Sequence, residues 1–372
     1  MTLLLDIPKV HFGFDAINVL PDELNELGIR RPLMVTDQGL VKCGIFRKVR
    51  ETFPQNSSLP VFDQMPENPT VEGVEKAYKI YRQEHCDGVV AVGGGSVIDG
   101  SKAVALLAGH PGPLSQYDHH SEKITAATAP IVAIPTTAGT GSEVTNGAGI
   151  HHDPSSPSMN IDSPYLRSRI AICDPNLTIS LPPVLTAGTG MDALSQCIEG
   201  YLAKPVNPLI DAVALDGIQR VVNYIERAVK DGSDKEARWH MMMAGLQGGI
   251  SIGKGLGSGH AIANTLGDKG FHHGVIVTVV LPSVLRFLER HVGDKMTEVA
   301  KALGLHKGNE VAGAIERLNE RLALPKNLRE IGYPLDDLDQ IAEVCTVSFF
   351  NSRSARVPTH EEYKMIITDS ME

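Results

Sequence analysis

The sequence predicts an α/β N-terminal domain built on a parallel sheet, followed by an all-α C-terminal domain. Three observations carry that expectation. Short apolar runs alternate with amphipathic stretches through the first half of the 372-residue chain, as strands joined by crossover helices do. Two of those runs, GVVAV from Gly88 and PIVAIP from Pro130, are continuously apolar, the mark of strands buried on both faces. After Asp174-Pro175 strand signals give way to helical spacing.

In chain order, the strand candidates are Leu33–Val35, Leu59–Phe62, Gly88–Val92, Ile131–Ile134 and Ile170–Ile172. Amphipathic stretches near Leu40–Thr52, Val71–Glu84 and Val97–Ala108 supply the intervening helices. Further on, Pro208–Arg227, Lys235–Ile252, Val284–Glu289, Lys295–Leu303 and Glu310–Leu322 carry helical spacing, and a last helix begins near Thr359. The LPPVLTAGTG stretch over Leu181–Gly190 holds the boundary, dividing the chain into residues 1–182 and 183–372. No repeat and no low-complexity tract interrupts this order.

A formal net charge of −10 excludes nucleic acid and anionic membranes as expected partners, because both require a basic face. The five cysteines, Cys43, Cys86, Cys173, Cys197 and Cys345, are widely spaced with no CxxC pair, which predicts a reducing, cytoplasmic setting without a disulfide framework. The N-terminal MTLLLDIPKV lacks the basic region of a signal peptide, and no run of about 20 apolar residues is present.

Two glycine-rich turns follow predicted strands. The first contains Gly93, Gly94, Gly95 and Ser96, with Asp99 and Lys102 beyond. A glycine triplet between strand and helix lets backbone N–H groups approach a pyrophosphate at the positive end of a helix. The GxGxxG spacing is absent, and the alternative is a tight turn without a ligand. The second turn, Pro135 to Glu143, sets Thr136, Thr137, Thr140 and Ser142 among glycines, suited to ribose and phosphate oxygens or to a plain polar loop. Asp37, at a strand end, would accept from a ribose 2′-OH and repel a 2′-phosphate, favouring NAD over NADP; it also serves as an ordinary turn residue.

In the second half, Asp192 and Gln196 lie four apart on one helix face, in a stretch that opens a helix at Thr189. With His260 and His273 they would surround one divalent cation. Carboxylate and imidazole suit Fe2+ or Zn2+, and an amide oxygen is a weaker fourth ligand. The alternatives are an N-cap role for Asp192 and buried hydrogen-bonding roles for the histidines.

Six ordered runs, GGGSVIDGSK, IPTTAGTGSEVT, AICDPNLTISLPP, TAGTGMDALSQCIEGY, KGLGSGHAIANTLG and FHHGV, resemble the iron-containing (group III) alcohol dehydrogenase family. The first half, including GIRRPLMVTDQG and NPTVEGVEKAY, is similar to the family's 4-hydroxybutyrate dehydrogenases. The resemblance implies a dehydroquinate synthase-like fold. It implies NAD, with NADP as the alternative, between the domains, the Gly93–Ser96 turn under the pyrophosphate and Thr136, Thr137 and Thr140 along the cofactor. Asp99 and Ser142 are counted in the same set. It makes Asp192, His260 and His273 ligands of a metal that lowers the pKa of a substrate hydroxyl while the nicotinamide exchanges hydride. A homodimer or larger homo-oligomer is expected.

Three positions depart from the family pattern. Gln196 stands where the DALxH motif has His, Asn264 where HxxxH has its second His, and Ser158 where a lysine usually precedes the AIxDP strand. Asn264 does not titrate near neutrality, so another group must relay the proton. The expectation is His272, and unchanged pH–rate behaviour in His272→Phe would remove it. Arg353 and Arg356, two apart in a loop, would clamp a substrate carboxylate, or else belong to a solvated surface loop. The expected substrate is a 4-hydroxybutyrate-like hydroxy acid, with a sugar acid such as 3-deoxy-octulosonate oxidised at its terminal carbon as the second choice. Two rival readings stand: a metal-independent reductase like the family's maleylacetate reductases, and a catalytically silent nucleotide-binding homologue.

Overall fold

The computed structural model describes residues 5–55, 57–153, 156–267, 273–333 and 337–372. The chain divides into two units. One comprises 7–137 and 142–180; the other comprises 181–372 with residues 138–141 and the N-terminal residues up to Asp6.

The first unit is built on a parallel six-stranded sheet in the order β1-β8-β5-β4-β2-β3. Its strands are β1 (Lys9–Phe12), β2 (Pro32–Val35), β3 (Val61–Phe62), β4 (Gly88–Gly93), β5 (Ile131–Pro135) and β8 (Ile170–Cys173). Every residue of β4 and β5 is buried, as their unbroken apolar runs require. Its α-helices among the described residues are α1 (Leu20–Glu26), α2 (Gln38–Lys42), α3 (Ile45–Arg50), α4 (Val71–Gln83) and α5 (Gly95–Gly109). Thr70 caps α4 by accepting from Gly73 N–H, and Val74, Ala77 and Tyr81 form its buried stripe.

One local expectation changes, and two elements appear that the sequence did not announce. Leu40–Thr52 is two short helices, because Gly44 at φ 80° breaks the helical path. Strand β1 has no buried residue, so no apolar run announced it. A second, two-stranded antiparallel sheet joins β6 (Gly147–His151) to β7 (Ser158–Asp162), and Ala148, Ile150, Met159 and Ile161 make its buried face. Burial alternates over the first four residues of β6, two of them glycine, and over the five of β7, patterns too short to stand out.

The second unit is helical: α6 (Pro183–Leu202), α7 (Pro208–Lys230), α8 (Lys235–Ile252), α9 (Ser258–Gly267), α10 (His273–Glu289), α11 (Asp294–Ala302), α12 (Val311–Arg321), α13 (Leu338–Thr346) and α14 (His360–Asp369). Helix α6 starts at Pro183 rather than Thr189, and Thr186 through Leu202 are all buried. Asp192 therefore sits mid-helix, which removes the N-cap alternative. The expected helix Val284–Glu289 is only the end of α10; the VIVTVVL run and Pro282 disguise its start. Residues 138–141 pack on α8 because glycines let the backbones meet. A Cβ on Gly141, itself at φ +63°, would stand 2.2 Å from Gly249 Cα, and one on Gly245 2.7 Å from Gly139 N.

Candidate metal centre

Asp192, Gln196 and Glu199 recur at i, i+4 and i+7 along α6 and so share one face. All three are buried. His260 lies in the first turn of α9, and His273 is the first residue of α10. One donor atom from each of Asp192, His260 and His273 lies within 4.8 Å of the other two. Asp192 Oδ1 is 3.6 Å from His260 Nε2 and 3.8 Å from His273 Nε2. Two ligands about 2.1 Å from one tetrahedral ion stand about 3.4 Å apart, so a small contraction suffices to close the set.

Hydrogen bonds orient the donors. Gln196 Nε2 donates to Asp192 Oδ2 at 3.0 Å and to Thr140 O at 3.4 Å. His260 Nδ1 meets Glu199 Oε2 at 2.5 Å. Two atoms are left over: Gln196 Oε1 and His260 Nε2 are buried with no hydrogen-bond partner among the described residues. Buried polar atoms are rarely left so; a cation among Asp192, His260 and His273 would satisfy His260 Nε2, while Gln196 turns its Nε2 to Asp192 and its Oε1 to Gly248. Charge agrees. Asp192 and Glu199 expose 3% and 1% of their side chains, and one divalent cation balances two buried carboxylates. Burial pushes the His260 imidazole down, but Asp192 and Glu199 outweigh it and lift the ring to about 9.

The remaining candidates occupy different places. Asn264 is half-buried on α9, one turn beyond His260. His272 lies outside the described residues. Arg356 forms a bidentate ion pair with Glu362, both contacts 2.9 Å, and its guanidinium lies over Phe287. Arg353 is exposed and donates to Gly253 O at 2.9 Å. The two guanidinium groups are thus held by different partners instead of forming a shared clamp.

In the sheet unit β4 ends at Gly93 and α5 opens at Gly95, with Gly94 as an N-cap that has no side chain to satisfy the helix N–H groups. A Cβ on Gly93 would lie 2.5 Å from that of Val97, so the turn admits no larger residue. Ser96 is in the first turn of α5. Thr136 N–H donates to Gly93 O at 3.1 Å, fixing the second turn beside the first, and Thr137 lines Gly94. Asp99 and Ser142 are drawn into a network around the fully buried Lys102. Its ammonium donates to Gly147 O at 2.6 Å, to Ser142 Oγ and Thr145 Oγ1 at 3.2 Å each, and to Asp99 Oδ1 at 3.4 Å. Asp99 also accepts from Ser142 Oγ and from Gly149 N–H. Asp37 caps α2, its Oδ1 accepting from Leu40 N–H at 2.9 Å.

Sequence reasoning passed over Glu199 and Gly248. The i+7 spacing of Glu199 from Asp192 would have revealed the first. The second has no local signal: a Cβ there would lie 2.5 Å from Gln196 Oε1, so glycine makes room for the amide.

A glycine turn on a parallel sheet, in a chain that also gathers two imidazoles and a carboxylate, is the equipment of an oxidoreductase working on alcohols. Comparison with known proteins narrows that class. Residues 8–175 match the family model "Iron-containing alcohol dehydrogenase" and residues 186–371 its C-terminal counterpart. The chain belongs to the iron-containing alcohol dehydrogenase family and is an oxidoreductase of that type. It is 40% identical to 4-hydroxybutyrate dehydrogenase of Cupriavidus necator, covering 100% of both chains. It is 35% identical to 1,3-propanediol dehydrogenase of Klebsiella pneumoniae, over 91% of each. The crystal structure of a 1,3-propanediol oxidoreductase superposes with a TM-score of 0.95 at 33% identity over 100% of both chains. That of sulfoacetaldehyde reductase from Bifidobacterium kashiwanohense, in complex with NAD+, gives 0.90 at 28% identity over 99% of both. Among the described residues no helix is long and apolar enough to cross a membrane.

Proposed function

We propose that this chain is a metal-dependent NAD dehydrogenase that interconverts a primary alcohol and its aldehyde on a carboxylate-bearing substrate. The observation that carries the reading is the approach of buried Asp192 and His260 to half-buried His273, with His260 Nε2 lacking a hydrogen-bond partner among the described residues. These three side chains hold the cation, Fe2+ or Zn2+, and the Gln196 amide oxygen is the fourth, weaker donor. When bound, the metal supplies Lewis acidity toward the substrate oxygen, and the nicotinamide supplies the hydride acceptor.

The chain's own residues do the rest. The uncapped turn Gly93–Ser96 offers its N–H groups to the pyrophosphate, supported by Thr136, Thr137 and Thr140, while Asp99 and Ser142 brace these turns through Lys102. Asp37 faces the ribose with its remaining oxygen and selects NAD. Asn264 cannot exchange a proton, and His272 takes that task. With Arg356 neutralised by Glu362, Arg353 is the better placed of the two for a substrate carboxylate. The substrate is a 4-hydroxybutyrate-like acid, in keeping with the 40% identical relative; a sugar acid oxidised at its terminal carbon is the second choice.

Metal analysis combined with an NAD+ reduction assay on ω-hydroxy acids tests this. The expected result is about one equivalent of metal, turnover of 4-hydroxybutyrate, loss on chelation and recovery on adding Fe2+ or Zn2+. Asp192→Asn should remove the metal. Full turnover with less than about a tenth of an equivalent would establish the metal-independent reductase instead. NAD binding without any turnover would establish the silent homologue.

A further inference from the structure

We propose that Glu199 is a positioning residue of the metal centre, fixing His260 so that Nε2 is presented to the cation; this rests on the metal-binding reading above. The Glu199 side chain is 1% exposed and spends both oxygens on α9. Oε1 accepts from Gly259 N–H at 2.8 Å. Oε2 takes His260 N–H at 3.2 Å and the ring Nδ1 at 2.5 Å. Those two amides belong to the first turn of α9, so a carboxylate from α6 stands where a helix N-cap would and meets the positive end of the helix. One group therefore anchors the helix start and the ring together.

The carboxylate has only acceptors, so Nδ1 must carry a proton, and Nε2 is the nitrogen left to give its lone pair to a cation. Nε2 is buried with no hydrogen-bond partner among the described residues, 3.6 Å from Asp192 Oδ1. Oriented imidazoles of metal sites rely on this kind of contact, and losing it weakens metal affinity by about 10–100-fold. The glycines of the KGLGSGH segment fit the same account. A Cβ on Gly257 would come within 2.9 Å of Glu199 Oε1, and one on Gly259 within 3.0 Å.

Glutamine at this position has the same shape and the wrong pattern of hydrogens. If its oxygen takes the place of Oε1 and keeps Gly259 N–H, its NH2 faces both His260 N–H and Nδ1 and drives the ring proton to Nε2, where the metal must bind. If it turns the other way, its oxygen keeps His260 N–H and Nδ1, but its NH2 meets the Gly259 N–H, donor against donor at the start of α9. The test is a Co2+ titration of the metal-stripped full-length protein, followed by the visible d–d band, with far-UV circular dichroism and a melt of each metal-free sample. Glu199→Gln should bind Co2+ about 10–100-fold more weakly than wild type, with the metal-free melt little changed. Wild-type affinity and an unchanged band in Glu199→Gln would overturn the assignment while leaving the metal site standing. A wild-type protein that takes up no Co2+ would overturn the metal reading itself, and this inference with it. Should Glu199→Gln fail to fold, Gly259→Ala displaces the carboxylate by a different route; weakened Co2+ binding supports the assignment, and unchanged binding overturns it.

Discussion

Lys102 exposes none of its side chain, and burial lowers its pKa while Asp99 opposes the fall. Its worth lies in the acceptors it joins: Gly147 O, Ser142, Thr145 and Asp99. Replacing it with methionine strands these groups. Lys102→Met should cost about 2–4 kcal/mol in denaturant unfolding, and a change below about 1 kcal/mol would show that the network contributes little. Asp37 allows a cleaner test because its two roles separate chemically. Asparagine keeps the cap on Leu40 N–H and removes the charge. Asp37→Asn should leave the melting temperature unchanged and raise the ratio of kcat/KM for NADP+ over NAD+ about tenfold, or ~1.4 kcal/mol. An unchanged ratio would confine Asp37 to its capping role. The residue types were readable without coordinates: Asp192, His260 and His273 stood out by chemistry. Arg356 did not reveal its partner, because Glu362 reaches it only through the turn that starts α14.

At the scale of elements, the second glycine turn carries a buried acid. Burial pushes Glu143 up to about 7, against the pull of Lys102 on α5, and burial, with Glu143 adding to it, raises the Cys173 thiol on β8. A folded-state pKa above the ordinary 4.5 favours the neutral acid. Its contribution to stability is complete below about pH 4.5 and is lost as pH rises through 7. Glu143→Gln should therefore gain on wild type between pH 5 and pH 8, by about 3 kcal/mol at most, in melts run at both pH values. Equal melting differences at the two pH values would show that Glu143 does not titrate in this range. Elements were legible where their pattern was long, as in α4, α5, α7 and α8. They were misread where one residue overrode it: Gly44 splits a helix, and Pro282 lies inside α10. In α6 nearly every residue is buried, so no polar face announced the helix ahead of Thr189.

At the scale of the whole molecule, the two units have separate cores. One large cluster runs through Ala138 and residues 187–371, and smaller clusters surround the sheet. A ligand of the helical unit stabilises that unit by mass action, about 2.7 kcal/mol at a hundred times its Kd. Removing metal should accordingly raise amide hydrogen exchange in α6, α9 and the start of α10, with strands β4 and β5 unaffected. Uniform loss of protection across both units would place the metal's effect elsewhere.

Local pattern alone determined that this protein has a parallel sheet followed by helices, two glycine turns after buried strands, and an Asp and two His residues in helical country. Periodicity and residue chemistry act over a few turns of chain, and that is the range in which sequence speaks directly. Only the tertiary structure decided which of these groups meet. The approach of Asp192 to His260 and His273, the hold of Glu199 on His260 across 61 positions, and the room Gly248 leaves for Gln196 all depend on helices packing side by side. That packing follows from the filling of a common core, which no local stretch encodes.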